Sequence, residues 1–450
     1  MKFWLRILGA AAVLVLLCSA QVPAGEEDNP APTVMDMEEA VKTGLERSHR
    51  IQAEEYGIQR SESEVKSVRG EFLPQVSAGA GYTYLDNRYT RDVGLPDDDY
   101  LDHTQFQSNL RVVQTVFAGL TILSSYQQAQ IEKEISEIEK ETAERELIRE
   151  IQHHFLELLK AQEDRRSLES SVERLEVSLE ASQSFYERQL VPYADVLQAE
   201  VELEEARQDL NQAKNEEQIQ RSHLNALLGF GHDRLINYQG DLAEIPLEKF
   251  FQTREILDTA LEERTELQFI HKNMAATEKE KRIARGQRLP RVNLEFNYAY
   301  REREYEEDHE VTDDERNRYW TAGVQLEWDI FTGGQRHYQR EGMDHEIRRL
   351  VETLKDTRAS ILTEVRTAHM RLEEARERLV STRKALAAAQ ENFEMQQHRY
   401  KQRVGTIQDL LTAQEHLTDA ETRKNQALMD YQQAMSELYF AMGKRNYGLN

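Results

Sequence analysis

The sequence predicts an α+β membrane protein in which long antiparallel coiled-coil helices continue into a transmembrane β-barrel. Three observations lead to this fold class. The chain contains two copies of one pattern, offset by about 215 residues. Each copy has long stretches without proline, nearly free of glycine and rich in strong helix formers. Each copy also has two short segments in which apolar and polar residues alternate, as in half-exposed β-strands.

The N-terminal segment has the pattern of an export signal. Two basic residues precede an uninterrupted apolar run at 7–17, which is too short for a permanent membrane helix. We therefore expect residues 1–24 to be a signal peptide. A second interpretation is a lipoprotein acylated at Cys18, although Leu17 stands where such a signal has a small residue.

Composition excludes several classes of function. The formal net charge of −25 argues against nucleic acid and anionic lipid as partners. Hydrophobic residues make up 39% of the 450 residues, which favours a thin-walled helical architecture over a thick core. Cys18 is the only cysteine, so a chain without its signal peptide has no disulfide, thiolate metal site or cysteine nucleophile.

The duplication sets the order of the elements. The segments 69–76, 116–119 and 186–199 recur, in that order, as 285–292, 330–333 and 400–413. We place repeat 1 at residues 25–240 and repeat 2 at residues 241–450.

Each repeat is predicted to contain a short opening helix, a very long helix and a second helix. The predicted bounds are 37–69, 120–191 and 193–228 in repeat 1, and 253–285, 335–404 and 406–442 in repeat 2. The long helix would extend about 105 Å, and the two shorter helices together match it. Alanines at seven-residue spacing mark a coiled-coil seam: Ala413, Ala420, Ala427, Ala434 and Ala441. An ordinary coiled-coil rod explains these helices equally well.

The alternating segments predict four strands, at 75–84, 106–117, 291–300 and 320–331. One face of each strand is apolar and the other carries amides, hydroxyls and carboxylates. Four strands are too few for a soluble sandwich, whereas a lipid-facing exterior and a wet lumen explain both faces. The residues expected to face lipid are Tyr82, Tyr84, Leu294, Phe296, Tyr298, Trp320, Leu326 and Trp328.

Two long acidic loops, 85–105 and 301–319, connect the strands of each hairpin and are expected on the extracellular side. Four strands cannot close a barrel, and unpaired strand edges are not tolerated in lipid. The sequence therefore predicts that more than one chain contributes to the barrel.

The chain resembles the TolC-type outer-membrane efflux family. The resemblance covers nearly all of the chain after residue 24. It rests on the duplication, on the strand-to-helix junctions Phe117-Ala118-Gly119 and Phe331-Thr332-Gly333-Gly334, and on the hairpin at 404–414.

The resemblance implies a homotrimer in the outer membrane. Three chains would form a twelve-stranded barrel, continued into the periplasm by a tunnel of twelve helical columns. The segment 229–249 and the residues after 442 would form a belt around this tunnel. The implied function is that of a passive, gated exit duct of a tripartite efflux or type I secretion system. Its partners would be a periplasmic adaptor protein and an inner-membrane pump.

Two helix-to-helix turns carry the functional residues that the resemblance implies. The tips expected to meet the adaptor are Leu190, Val191, Pro192 and Tyr193, and Val404, Gly405 and Thr406. Asp195 and Asp409 are the candidates for an acidic ring at the periplasmic entrance. Helix N-caps are the alternative role for these two aspartates. The tips differ, since Pro192 is expected where the second tip has Gly405.

The sequence shows no enzyme signature. There is no P-loop, dinucleotide fingerprint or nucleophile elbow, and His153-His154 has no matching ligand pair, so we expect no cofactor and no metal. Energy for transport must come from a partner, and the sequence does not identify the cargo. Two other functions stay open: a periplasmic coiled-coil protein that never inserts, and a porin-like channel that works alone.

Overall fold

The computed structural model describes residues 34–85, 103–232, 234–240, 242, 253–305 and 316–445. The expected signal peptide at 1–24, with Cys18, lies outside these residues, as does most of both hairpin loops. Among the described residues, no helix combines the length and apolar character needed to cross a membrane.

The order of elements is the same in both halves of the chain. The first half contains β1 (Val34–Met35), α1 (Met37–Arg47), α2 (His49–Gly70), β2 (Gln75–Leu85), β3 (His103–Phe117), α3 (Thr121–Glu187), α4 (Tyr193–Leu227) and β4 (Asn237–Tyr238). The second contains α5 (Thr253–Glu263), α6 (Thr265–Gly286), β5 (Arg291–Tyr305), β6 (Arg316–Glu327), α7 (Gln335–Lys401) and α8 (Ile407–Ala441). Equivalent helices are equally long, with 11 residues in α1 and α5, 22 in α2 and α6, 67 in α3 and α7, and 35 in α4 and α8. The predicted duplication is confirmed.

Each opening helix is interrupted by one extended residue, which the sequence did not predict. Ser48 has ψ 123° and Arg264 has ψ 122°, so the helices expected at 37–69 and 253–285 are each divided in two. The Arg264 guanidinium is buried, where it pairs with Glu364 at 2.8 Å and donates to the carbonyl of Ala441 at 3.3 Å. A break of one residue leaves the helix-forming composition unchanged, so the sequence pattern does not reveal it.

The four long strands form one antiparallel sheet in the order β2-β3-β5-β6. The contact between the two repeats is the β3-β5 pair, in which Leu110 lies opposite Tyr298. A bulge at Val116 shifts the register, so that Phe117 lies opposite Val292. The outer edges of β2 and β6 have no partner strand in the described part of the chain.

The helices form a layer that continues from the sheet. Helix α3 packs against α2, α4, α6 and α8, while α7 packs against α5, α6 and α8. One side of the protomer is therefore bordered by β2, α2 and α4, and the other by β6 and α7. Buried apolar clusters fill the spaces between the helices, one of them close to the turns that follow α3 and α7.

The segment predicted to form part of a belt packs, in its described residues, beside these helices. Strand β4 pairs in parallel with β1, which fixes the segment that precedes α1. Tyr238 of β4 is buried and its hydroxyl donates to the side chain of Asn225 at 2.6 Å. Burial raises the pKa of Tyr238, so this phenol remains a neutral donor. Most of the predicted belt beyond residue 242 lies outside the described residues.

Two buried glycines join the sheet to the helices. Gly119 follows β3 with φ +62° and lies against Gly286, the last residue of α6. A Cβ atom on Gly286 would collide with the carbonyl oxygen of Gly119 and with the methyl group of Thr121. Only glycine at both positions permits this approach.

We expect Gly286→Ala to lower the free energy of unfolding by about 1–3 kcal/mol, the usual cost of overpacking. The matched control is Gly342→Ala in α7, where a Cβ would meet no atom of the described chain within 4 Å. Ala should stabilise that helix by about 0.5–1 kcal/mol. Thermal unfolding followed by circular dichroism would measure both changes. Equal melting temperatures for the two variants would contradict the assigned contact.

Candidate functional site

The turns after the two long helices share one backbone conformation. After α3, Leu190 N–H donates to the carbonyl of Phe185 at 2.9 Å and Gln189 N–H donates to that of Tyr186 at 2.7 Å. After α7, Val404 N–H donates to Arg399 at 2.9 Å and Arg403 N–H donates to Tyr400 at 3.0 Å. This is the Schellman arrangement, which satisfies carbonyls at a helix end.

The left-handed residue of each turn is not glycine. Gln189 has φ +59° and Arg403 has φ +63°, a conformation that costs about 1–2 kcal/mol for a residue with a side chain. Arg403 gains a compensating contact, since its guanidinium lies 5.8 Å from the ring centroid of Phe185. Glycine is favoured at position 405 for a different reason, because a Cβ there would lie 3.1 Å from the Cβ of Arg399.

The two turns lie side by side within one protomer. The rings of Phe185 and Tyr400 are 5.6 Å apart, and the Tyr400 hydroxyl is 2.8 Å from the hydroxyl of Ser182. Gln198 of α4 donates to Gln408 of α8. Further along, the Arg174 guanidinium of α3 pairs with Glu421 of α8 at 2.9 Å. Sequence reasoning missed this set of contacts, because the packing of α3 and α4 against α7 and α8 cannot be read from any one helix alone.

The tips present apolar side chains to the surroundings. Leu190, Tyr193 and Val404 are 42%, 52% and 65% exposed. Pro192 and Thr406 are also exposed, whereas Val191 and Gly405 are half-buried. These seven residues are the ones that the sequence predicts at the tips, and the structure brings both groups to the same end of the helices.

The second tip ends in a capping box. The Asp409 N–H donates to the hydroxyl of Thr406 at 3.1 Å, and the Thr406 N–H donates to the Asp409 carboxylate at 3.3 Å. Hydrogen bonds from the Thr406 hydroxyl and the Thr406 N–H to the carboxylate, together with the nearby Arg399 guanidinium, lower the pKa of Asp409. Asp409 is therefore the third residue of the helix, and Thr406 is the N-cap.

The first tip has no equivalent of this box. Pro192 is the N-cap of α4, and it has neither a hydroxyl to accept the Asp195 N–H nor an N–H to donate to the carboxylate. Pro192 therefore corresponds to Thr406, and its expected match with Gly405 is wrong by one residue. Partial burial raises the pKa of Asp195. Burial also raises the pKa of the Tyr400 phenol, and the nearby Asp195 carboxylate raises it further. Neither aspartate is itself an N-cap.

The sheet separates its side chains by polarity. Cross-strand pairs place Tyr82 opposite Phe106, Tyr298 opposite Trp320, and Val292 opposite Leu326 on one face. That face also holds Tyr84, Leu294 and Phe296, and the rings of Phe296 and Trp320 stack at 6.3 Å. On the other face Arg111 pairs with Glu295 at 2.7 Å.

Trp328 lies outside the strand in which it was predicted. Strand β6 ends at Glu327, earlier than the expected end at 331, because its pairing with β5 stops at Arg291. The Trp328 indole N–H donates to the carbonyl of Arg288 at 3.0 Å. The Trp328 side chain is 54% exposed, and it follows the strand instead of belonging to its alternation of apolar and polar residues.

The histidines do not assemble a metal centre. His153 and His154 both approach Glu157, at 3.3 and 3.1 Å, and His154 stacks on His223. Across the described ranges, no group of three or more His, Cys, Asp or Glu side chains has the arrangement of a metal site.

We expect Thr406→Ala to lower the free energy of unfolding by about 1 kcal/mol, the usual value of an N-cap. Pro192→Thr should create the missing box, stabilise α4 and lower the pKa of Asp195. Because the pKa of Asp409 is lowered in the fold, the contribution of its charge is present at neutral pH and lost as pH falls through that pKa. The loss of unfolding free energy caused by Thr406→Ala should therefore be smaller at acidic pH.

Chemical unfolding at several pH values would measure these changes, with Thr422→Ala in the interior of α8 as the control. A deficit that is independent of pH would contradict the role of the Asp409 carboxylate in the cap.

Comparison with known proteins agrees with this fold. A family model for outer membrane efflux proteins matches residues 40–230 and 256–444. A search of curated protein sequences gives no significant match. The structure is similar to that of VceC from Vibrio cholerae, with 18% sequence identity, TM-score 0.73, and coverage of 91% of this chain and 96% of that one.

Two further solved structures share the fold. The CmeC channel of Campylobacter jejuni has 16% identity and TM-score 0.75, with 90% of this chain and 85% of that chain covered. The MtrE channel of Neisseria gonorrhoeae has 16% identity and TM-score 0.73, with 91% and 89% covered. The predicted fold class and family are thereby confirmed. Since the family match extends over most of both repeats, the chain belongs to the outer membrane efflux protein family.

Proposed function

We propose that three copies of this chain form a passive channel through the outer membrane, the exit duct of a tripartite efflux or type I secretion system. The observation that carries the proposal is the sheet. It has one apolar face, one polar face and two outer edges without a partner strand among the described residues. A lipid exterior and a water-filled lumen suit the two faces, and neighbouring copies would satisfy the edges.

The dimensions of the elements agree with this arrangement. The 11 residues of β2 extend about 36 Å, and a tilt of about 40° reduces their height to about 28 Å, close to the apolar band of outer-membrane barrels. The 67-residue helices α3 and α7 extend about 100 Å. Such helices support a tunnel that crosses the periplasm, and a porin-like channel working alone does not need them.

The exposed tips are the proposed docking surface for a periplasmic adaptor protein. Leu190, Tyr193 and Val404 offer apolar side chains at the end of the helices that lies furthest from the sheet. The left-handed residues Gln189 and Arg403 set the direction of the chain at each tip. Because the chain shows no nucleotide-binding motif, the inner-membrane pump would supply the energy for transport.

Asp195 and Asp409 are the proposed entrance carboxylates. They occupy equivalent positions, three residues after Pro192 and Thr406, in helices that begin at the same end of the protomer. Three copies would place six carboxylates around one opening and attract cations there. The raised pKa of Asp195 and the lowered pKa of Asp409 mean that acid would neutralise Asp195 first.

The proposed assembly is tested by purification in detergent, followed by native mass measurement and recordings in planar bilayers. We expect particles of three chains that conduct ions. A lone chain that remains in solution without detergent would instead favour the periplasmic coiled-coil protein.

Entrance variants test the role of the aspartates. We expect Asp409→Asn and Asp195→Asn each to reduce block by divalent cations severalfold, since each removes three charges from the ring. When cation block is measured as a function of pH, we expect two transitions, and Asp195→Asn should remove the one at higher pH. The control is Asp419→Asn, which lies about 15 Å further along α8 and pairs with Arg423. Unchanged cation block in both entrance variants would leave these residues with structural roles only.

Cysteines at the tips test adaptor docking. We expect Leu190→Cys and Val404→Cys, each carrying a photoreactive label, to crosslink to the adaptor in cells that express it. Met395→Cys, exposed on α7 further from the turn, should crosslink much less. Normal conductance with no tip crosslink to any periplasmic protein would favour a channel that works alone.

A further inference from the structure

The chain between the end of α6 and the start of β5 is strongly basic, although the whole chain is acidic. Five of the residues from 281 to 291 are basic and none is acidic: Lys281, Arg282, Arg285, Arg288 and Arg291. The equivalent segment of repeat 1, at 65–75, has two basic residues and one acidic residue. The net charge of −25 argues against anionic lipid as a partner, but that average does not describe this part of the surface.

The basic side chains border a groove between the end of α6 and the start of α7. Lys281 of α6 forms an ion pair with Asp344 of α7. The hydrogen bond and charge of Lys281, followed by the charges of Arg340 and Arg285, lower the pKa of Asp344. One carboxylate therefore lies among three cations. The Nε atom of Arg340 is buried and has no hydrogen-bond partner in the described part of the chain.

Two arginines extend the groove toward the sheet. The Arg288 guanidinium donates to the carbonyl of Arg336 at 3.5 Å, and Arg336 pairs with Asp329 at 2.6 Å. Arg285 and Arg288 are exposed, and neither forms an ion pair with a carboxylate of the described residues. We call this space the junction groove, and its cations are Lys281, Arg285, Arg288, Arg336 and Arg340.

Apolar side chains lie between the junction groove and the sheet. The Trp328 indole N–H donates to the carbonyl of Arg288, and the ring is half exposed. Leu289 is 50% exposed. The apolar face of the sheet begins nearby, at the pair of Val292 and Leu326. A tryptophan between an apolar surface and basic groups is typical of the boundary between acyl chains and headgroups.

The exposure of the junction groove does not arise from the outer edges of the protomer. Helix α6 packs between α3 and α7 of the same chain, and β5 pairs with both β3 and β6. The equivalent turn of repeat 1 precedes β2, which is an edge strand. Neighbouring copies at the two edges would therefore leave the junction groove open to its surroundings.

We propose that the junction groove binds the phosphate of an anionic phospholipid from the periplasmic leaflet of the outer membrane. Arg285 and Arg288 would contact the phosphate, and the acyl chains would lie along the apolar face of β5 and β6. This inference rests on the proposed channel, because only an inserted sheet brings the groove to the edge of the lipid. It adds the class of lipid that this edge selects.

The chemistry of the groove favours an anionic headgroup over a zwitterionic one. A guanidinium group offers several N–H donors in a plane, and these match the oxygens of a phosphate. A zwitterionic headgroup carries its own cation beside the phosphate, and the cations of the groove would repel it. A headgroup whose only charge is the phosphate has no such penalty.

Quenching of tryptophan fluorescence tests the lipid preference. In a Trp320→Phe background, Trp328 is the only tryptophan after residue 24. The protein is placed in phosphatidylcholine vesicles that contain phosphatidylglycerol or phosphatidylcholine brominated on the acyl chains. We expect half-maximal quenching at a mole fraction of brominated phosphatidylglycerol about fivefold lower than that of brominated phosphatidylcholine. Equal mole fractions for the two lipids would overturn the inference.

Variants locate the preference on the chain. We expect Arg285→Gln/Arg288→Gln to abolish it. The control Arg348→Gln/Arg358→Gln removes the same charge from exposed positions about 18 and 33 Å further along α7 than Arg336, where salt screens the groove. This control should keep the preference, and equal loss in both double variants would contradict a specific groove.

A milder substitution guards against a change of fold. Arg288→Phe introduces the residue that repeat 1 has at the equivalent position, Phe72, and therefore suits the turn. We expect it to reduce the preference for phosphatidylglycerol severalfold. An unchanged preference in Arg288→Phe would show that Arg288 does not contact the headgroup.

The remaining outcomes separate the lipid from other anions and from the channel itself. Native mass measurement in a mixture of phosphatidylglycerol and inorganic phosphate should show bound lipid, and bound phosphate alone would overturn the lipid as occupant. Conducting particles of three chains without any lipid preference would overturn this inference and leave the channel intact. Failure of both brominated lipids to quench Trp328 would overturn both, because the sheet would then not contact lipid.

Discussion

The constraint on which the rest of this structure depends is that a strand in lipid must pair both of its edges. Inside a bilayer no water is present to bond an exposed N–H or C=O group, and each such group costs several kcal/mol. The sheet of this chain has four strands, with β2 and β6 at its edges. The proposed barrel of this chain therefore closes only together with other copies of the chain.

The duplication means that both repeats are built from the same elements. The β3-β5 pair joins the two repeats, and two buried glycines lie against each other where the strands meet the helices. Because the helices of the two repeats have identical lengths, the columns can begin and end at the same levels. The two repeats differ at the tips. There Thr406 forms a capping box with Asp409, whereas Pro192 forms none with Asp195, whose pKa is raised by partial burial.

The fold could be predicted from the sequence because helices and strands each leave a periodic pattern of apolar residues. Alternation along β5 and β6 placed Tyr298 and Trp320 on one face, and the observed pairing brings them opposite each other. The sequence did not predict features that involve a single residue, such as the bulge at Val116, the break at Arg264 and the strand end before Trp328. The sequence did not predict the contacts between the tips either, since Phe185 of α3 and Tyr400 of α7 meet only after the helices of the two repeats have packed together. The capping box is a further example. The position of Asp409 after a turn does not reveal its environment, which depends on its hydrogen bonds with Thr406.

The most direct measurement of the central constraint is backbone amide hydrogen exchange of the four strands in lipid vesicles, read by mass spectrometry. If copies of the chain close the barrel, β2 and β6 should be protected as strongly as the inner strands β3 and β5. Fast exchange confined to β2 and β6, with β3 and β5 protected, would show that the edges remain unpaired, and it would contradict a closed barrel built from several chains.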